Sequence, residues 1–116
     1  MGMNFIVAIE NDKVVGLTSW IMHGLAKHGL IELDRIAVLP SCKGKGVAQE
    51  LFSAIVKDAD TTLQTNGGKI RKLYILCHAS NSRAHAFYEK MGMKHETTLK
   101  NHYYKDEDEW VYSKFF

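Results

Sequence analysis

The sequence is poor in residues that staple or break a chain, with two cysteines and one proline in 116 residues. Cys42 and Cys77 have no cysteine or histidine at close spacing, which argues against a zinc ribbon or a disulfide framework and makes free thiols in a cytoplasmic protein the expectation. No apolar run approaches the ~20 residues of a membrane span, and the N-terminal stretch lacks the basic start and apolar centre of an export signal, so neither export nor membrane insertion is expected. Excess charge of one sign is missing too. The formal net charge of +2 is too small for the massed basic face that nucleic-acid binding requires. The six histidines show no His-x-x-x-His or glutamate-linked spacing, so no metal is expected and solvated surface is their reading. Without such a basic patch, Trp20, Trp110, Tyr103 and Tyr104 read as strand packing. There is no repeat and no low-complexity tract. An apolar fraction of 46% and a charged fraction of 24% describe one globular domain, residues 1–116, that needs no cross-links to fold.

What is present is clear periodicity. Two runs rich in Val, Ile, Phe and Trp, residues 4–9 and 14–21, flank Asn11-Asp12 and predict a hairpin. After a loop at 23–28, residues 30–39 predict a third strand, ended by Pro40, which has no amide hydrogen for a ladder. Val47, Ala48, Leu51, Phe52, Ile55, Val56 and Ala59 then recur at helical spacing, and the helix is expected to stop near Asn66-Gly67-Gly68 with a left-handed C-cap. Residues 69–77 read as a largely buried strand. Asn81 or Ser82 can cap a second helix running to about residue 91, which Gly92 stops. Strands at 93–99 and 109–115 follow, with the turn at 106–108. The order β-β-β-α-β-α-β-β describes an α/β (α+β) sandwich, a mixed and mostly antiparallel sheet flanked by helices.

The segment Lys43-Gly44-Lys45-Gly46-Val47-Ala48, between strand and helix, outlines a phosphate cradle. Glycines let backbone approach an anion, and the amides and dipole at a helix start bind it. It is not a Walker loop, because Gly46 follows Lys45 where Ser or Thr is needed, and Gln49 occupies the last glycine position of a dinucleotide fingerprint. A plain solvated turn before a helix would read the same way. A second element, Asn81-Ser82-Arg83-Ala84-His85-Ala86-Phe87-Tyr88-Glu89-Lys90-Met91-Gly92-Met93, narrows the choice. The first segment resembles the Arg/Gln-x-x-Gly-x-Gly/Ala signature of the GNAT superfamily of N-acetyltransferases, with Lys43, Gly46 and Ala48 at its fixed places. The second resembles that family's Asn-x-x-Ala-x-x-Phe-Tyr-x-x-x-Gly-Phe, with Met93 as the last residue. With Ile36-Ala37-Val38-x-Pro40 on the preceding strand, the resemblance spans about residues 14–116 and implies an acyl-CoA N-acyltransferase-like fold.

The resemblance implies acetyl transfer from acetyl-CoA to a primary amine by direct attack in a ternary complex. Lys43, Gly44, Lys45, Gly46, Val47 and Ala48 would hold the CoA pyrophosphate. Backbone of Ile36, Ala37 and Val38 would pair with the pantetheine arm, and Asn81 and Arg83 would also contact the cofactor. Lysine at 43 keeps positive charge but loses the planar fork of arginine. Tyr88 matches the family tyrosine that protonates the leaving thiolate, although tyrosine beside Phe87 on a helix also reads as half-buried packing. Aminolysis needs a neutral amine, because an ammonium has no lone pair. Period two along the third strand sends Glu32, Asp34, Ile36 and Val38 one way and Leu33, Arg35 and Ala37 the other. Glu32 falls where several family members place the base, with Asp34 as its alternative and a solvated face as the plain reading of both. Family members usually carry a strand and one or two helices ahead of this hairpin, so either an open acceptor site or completion by a homodimer partner is expected. The acceptor is a small-molecule or peptide amine, left open by the sequence, and a non-catalytic acetyl-CoA-binding or regulatory module is the alternative function.

Overall fold

Alternating apolar residues and a short polar turn set the first hairpin. In the computed structural model, which describes residues 2–116, β1 (Asn4–Glu10) and β2 (Lys13–His23) meet at Asn11 and Asp12. Both turn residues are left-handed, with φ of 51° and 64°, as a two-residue hairpin of primed type demands. A short 3-10 turn, Ala26–His28, replaces the expected loop and leads into β3 (Leu30–Val38). The strands then alternate with helices in the expected order: α1 (Val47–Thr65), β4 (Lys72–His78), α2 (Ser82–Lys90), β5 (Lys94–Tyr104) and β6 (Glu107–Phe115). The chain divides after Arg71 into two compact units.

In the first unit β2 lies between β1 and β3, antiparallel to both. Helix α1 buries Val47, Leu51, Phe52, Ile55, Ala59 and Leu63 along one stripe, the spacing of an amphipathic helix. Trp20, Ile31 and Leu33 are buried from the strands, and full burial of each large side chain contributes about 1.5–3 kcal/mol. The Trp20 indole would leave a buried donor unsatisfied, and Asp58 of α1 answers it at 2.9 Å. Gly67, at φ 82°, supplies the predicted C-cap, and the amide of Gly68 donates to the Leu63 carbonyl at 2.7 Å. Residues 69–71 are not strand. The Ile70 amide donates to Asp60, the Arg71 amide to Gly29 O and Arg71 Nε to His28 O, so β4 begins only at Lys72.

One register shift corrects the reading of β3. Thr18 pairs with Ile36 and Ser19 with Arg35, but Trp20 pairs with Leu33, so Asp34 is an extra residue in a β-bulge. The Thr18 hydroxyl donates to the Arg35 carbonyl at 2.6 Å, satisfying backbone that the bulge displaces. Side-chain alternation changes phase there. Ile31 and Leu33 are buried, whereas after the bulge it is Val38 that packs on the cluster of Val15, Cys42, Val47 and Leu51. Gly16, opposite Val38, also faces α1, since a Cβ there would lie 3.0 Å from Leu51. Glu32 and Asp34 therefore share the face away from α1, and Ile36 and Val38 do not join them, contrary to strict period two.

In the second unit β6 is central, antiparallel to β4 and β5. Strand β4 buries Leu73, Ile75 and Cys77 and half-exposes the residues between them, so it is buried on one face rather than both. The predicted cap of α2 is Asn81, whose side-chain oxygen accepts from the Ala84 amide at 3.1 Å. Met93 is buried, so the departure from phenylalanine still fills core. The last hairpin is longer than its apolar pattern. Its turn is residues 105–106, with Asp106 at φ 64°, not 106–108. Asp108 lies inside β6, where its carboxylate accepts from the Asn101 amide and from Lys100 Nζ, each at 3.1 Å.

Candidate functional site

The start of α1 is built to present amides. After the 3-10 turn Pro40–Cys42, the buried Cys42 side chain anchors the loop in the core, and Lys43, Gly44, Lys45 and Gly46 are exposed. Gly44 and Gly46 have φ of 81° and 83°, a region costly for any residue with a Cβ. Gly46 is the N-cap of α1, with no side chain capping the helix, and the first helical bond runs from the Glu50 amide to Gly46 O. The amides of Val47, Ala48 and Gln49 therefore have no acceptor within the helix. Unspent donors, the positive end of a 19-residue helix and two exposed lysines fit a pyrophosphate. Glu50 in the first turn satisfies the dipole only in part.

Along β3, Glu32 is not a free solvated carboxylate. Its Oε1 lies 2.8 Å from Nε2 of His23, at the end of β2, with the glutamate side chain 22% exposed. Asp34, in the bulge, is exposed and accepts from the Ser19 hydroxyl at 3.3 Å. Ile36 and Val38 are half-buried and Ala37 exposed. The bulge thus separates two carboxylates on one face from the strand segment Ile36–Val38.

In the second unit Tyr88 is buried on α2, 7% exposed, with the Tyr112 ring 6.0 Å and the Phe87 ring 5.4 Å away. Burial, and secondarily repulsion from a Cys77 thiolate, push its phenol well above the usual tyrosine range, so it stays protonated at any working pH. Asn81 and Arg83 are exposed at the start of the same helix, Asn81 engaging its carbonyl oxygen in the cap.

Reading all six histidines as solvated surface fails. His85 and His95 both stack on one ring, lying 4.2 Å and 4.1 Å from Trp110 with interplanar angles of 4° and 10°. His23 pairs with Glu32, and His78 Nδ1 contacts Glu109 and lies 3.1 Å from Glu107 Oε1. The contacts of His23, His78 and His95 depend on strand register, with His78 directly opposite Glu109 and Trp110 opposite Thr98, and that of His85 on the packing of α2. No spacing rule within one segment reveals them. Among the described residues, no three His, Cys, Asp or Glu side chains are grouped to hold a metal ion, and no helix is long and apolar enough to cross a membrane.

The chain is similar to known proteins in sequence and in fold. The chain is 29% identical over 123 residues to the N-alpha-acetyltransferase of Saccharolobus solfataricus, covering 97% of this chain and 70% of that protein. It is 29% identical over 107 residues to the N-acetylaspartate synthetase of Xenopus tropicalis, covering 87% of this chain and 34% of that protein. Among solved structures, a GNAT-family acetyltransferase from Desulfovibrio desulfuricans superposes with a TM-score of 0.84 at 27% identity, over 98% of this chain and 69% of that one. The order of six strands and two helices, read first from periodicity, is the order of that fold. Residues 2–93 match the model of the acetyltransferase (GNAT) family, a span that contains the glycine loop, the bulged strand and the tyrosine helix. The chain belongs to the acetyltransferase (GNAT) family and is an acetyl-CoA-dependent acyltransferase.

Proposed function

We propose that the whole chain, residues 1–116, acts as one N-acetyltransferase domain that moves the acetyl group of acetyl-CoA to a primary amine by direct attack in a ternary complex. The observation that carries this reading is the uncapped start of α1, where two left-handed glycines turn unspent amides and two lysines outward. Amides of the segment Gly44–Ala48, with Lys43 and Lys45, bind the pyrophosphate. Backbone of Ile36, Ala37 and Val38 pairs with the pantetheine arm and supplies the donor for the developing oxyanion. Asn81 and Arg83 add polar contacts to the cofactor.

The chemistry follows from two protonation states. Glu32, held by His23, removes a proton from the acceptor ammonium directly or through water, freeing the nitrogen lone pair. The amine then attacks the thioester carbonyl, the C–N bond forms and the C–S bond breaks. Tyr88, kept protonated by burial, gives its proton to the departing thiolate and regains one from the nitrogen, which sheds its second proton as the amide forms. The protein works in the cytoplasm, as a homodimer, on a small-molecule or peptide amine.

Titration calorimetry with acetyl-CoA and with dephospho-CoA, followed by thiol release with a panel of amines, tests this. Saturable binding with amine-dependent release is the expected result. Binding without release across the panel would make the protein a non-catalytic acetyl-CoA module, and absence of binding would overturn the cofactor assignment.

A further inference from the structure

The acid of the proposed reaction stands on a helix that the core barely holds. Among the described residues of α2, Tyr88 alone is buried, and nine residues are too few for a helix to persist in water on propensity. One buried side chain fixes where such a helix sits but leaves its rotation about its own axis open. That rotation decides where the Tyr88 hydroxyl points, and misplacing a reacting group by about 1 Å can cost about a hundredfold in rate.

Two neighbours of Tyr88 close that freedom. Positions 85, 88 and 89 are three and four residues apart, so they share one face of α2. His85 stacks on Trp110, and its Nε2 lies 3.0 Å from the His78 carbonyl oxygen. On the other side of Tyr88, Oε2 of Glu89 accepts the hydroxyl of Tyr112 at 2.6 Å. Tyr112 is the fixed end of this bond. It is fully buried on β6, a strand laddered along both edges, with its ring 5.5 Å from that of His85, 6.0 Å from that of Tyr88 and 6.2 Å from that of Trp110. Phenylalanine would fill the same space, so what the hydroxyl adds is the bond to α2. Burial, and then the bond to Glu89, hold the Tyr112 phenol above the ordinary tyrosine range, so it remains a donor at working pH. Glu89 is exposed, and water would satisfy its carboxylate equally well. On the helix side, therefore, the bond adds orientation.

We propose that Tyr112 and Glu89 are positioning residues, whose hydrogen bond locks the rotation of α2 and so aims the Tyr88 phenol at the departing thiolate. Both act through Tyr88. The proposal rests on the reading of Tyr88 as the acid and adds what holds that acid in place.

The test is thiol release from acetyl-CoA with n-butylamine by the whole protein, in Glu89→Ala, Glu89→Gln, Tyr88→Phe and the Glu89→Ala/Tyr88→Phe double variant. Because Tyr112→Phe alters the fully buried end and can unfold the unit, the exposed Glu89 carries the deciding substitutions. Glu89→Ala should lower kcat about tenfold with both KM values within about twofold of wild type. Glu89→Gln, whose amide oxygen still accepts from Tyr112, should come back to within about threefold of the wild-type kcat. In the Tyr88→Phe background, Glu89→Ala should change kcat by less than about twofold, because the group it aims is gone. An unchanged kcat in Glu89→Ala, or the same loss with and without the Tyr88 hydroxyl, overturns the positioning role. An unchanged kcat in Tyr88→Phe alone instead sinks the acid reading, and the proposal with it. Hydrogen exchange of the α2 amides needs no turnover: Glu89→Ala should speed it about tenfold while β4 and β6 stay as they are, and equal rates in the two proteins also overturn the proposal.

Discussion

The two units carry chemistry in different materials. In the first, the features that fit a ligand are backbone: amides at the start of α1, two left-handed glycines and a bulge that changes the phase of β3. In the second they are side chains placed by strand register and by the packing of α2: Tyr88 against Tyr112, His78 against Glu109, Trp110 between His85 and His95. A backbone site tolerates most substitutions at its own positions but fails where a Cβ forbids the conformation. A side-chain site fails at each functional group and is indifferent to much of its backbone. The difference predicts how each unit responds to mutation.

The largest effect is expected at Tyr88. Tyr88→Phe should lower kcat about a hundredfold, the scale of positioned acid catalysis, while acetyl-CoA affinity stays within about twofold. The ring remains to fill the space beside Tyr112, so unfolding temperature should barely move. Steady-state kinetics and calorimetry on the same variant separate these readouts, and an unchanged kcat would reduce Tyr88 to packing.

The converse holds for the glycine loop. Gly46→Val, at φ 83° and with open space around a new Cβ, is penalised by conformation alone. Strain of about 1–3 kcal/mol either distorts the cradle or lowers stability, so acetyl-CoA affinity should fall about tenfold or more. Lys43→Ala removes one exposed charge and should cost only about threefold, an effect that added salt diminishes. Should Lys43→Ala weaken binding more than Gly46→Val, the first unit would be a side-chain site after all and the contrast would collapse.

The same contrast explains what the sequence disclosed. Element order, the Asn11-Asp12 hairpin, the Asn81 cap and the glycine loop are local: each rests on residues within one turn of one another, where backbone sterics decide the outcome. The bulge at Asp34 was hidden because it arises from how β3 registers on β2, and nothing in Leu33-Asp34-Arg35 breaks the apparent alternation. The irregular stretch of β5 was hidden for a similar reason: the Asn101 amide donates to Asp108 and its side-chain oxygen accepts from the Asp106 amide across the hairpin, so polar residues that read as turn are strand. The pairs His23 with Glu32 and His78 with Glu109 join residues 9 and 31 apart, and only the ladders bring them together. Glu32 was legible as a candidate through its place in the family pattern, and its histidine was not.

The smallest predicted effect concerns a buried thiol of the second unit. Burial first, and then the charge of Glu109, push the Cys77 thiol up to about 11 from 9.0. The folded protein therefore keeps a proton that the unfolded chain releases, and linkage fixes the sign. Stability is independent of this group below about pH 9 and falls as pH rises from there towards 11. Tyr88 and Tyr112 are raised as well, but their loss begins only near the ordinary tyrosine value of 10, so the interval between 9 and 10 belongs chiefly to the cysteine. Urea unfolding across that interval should show wild type losing stability and Cys77→Ala holding level. Glu109→Gln removes only the lesser of the two causes, so it should retain most of the slope. A Glu109→Gln curve as flat as that of Cys77→Ala would mean that the carboxylate's charge, rather than burial, governs the thiol, and would tie Cys77 electrostatically to the His78–Glu109 pair on the opposite face of β4.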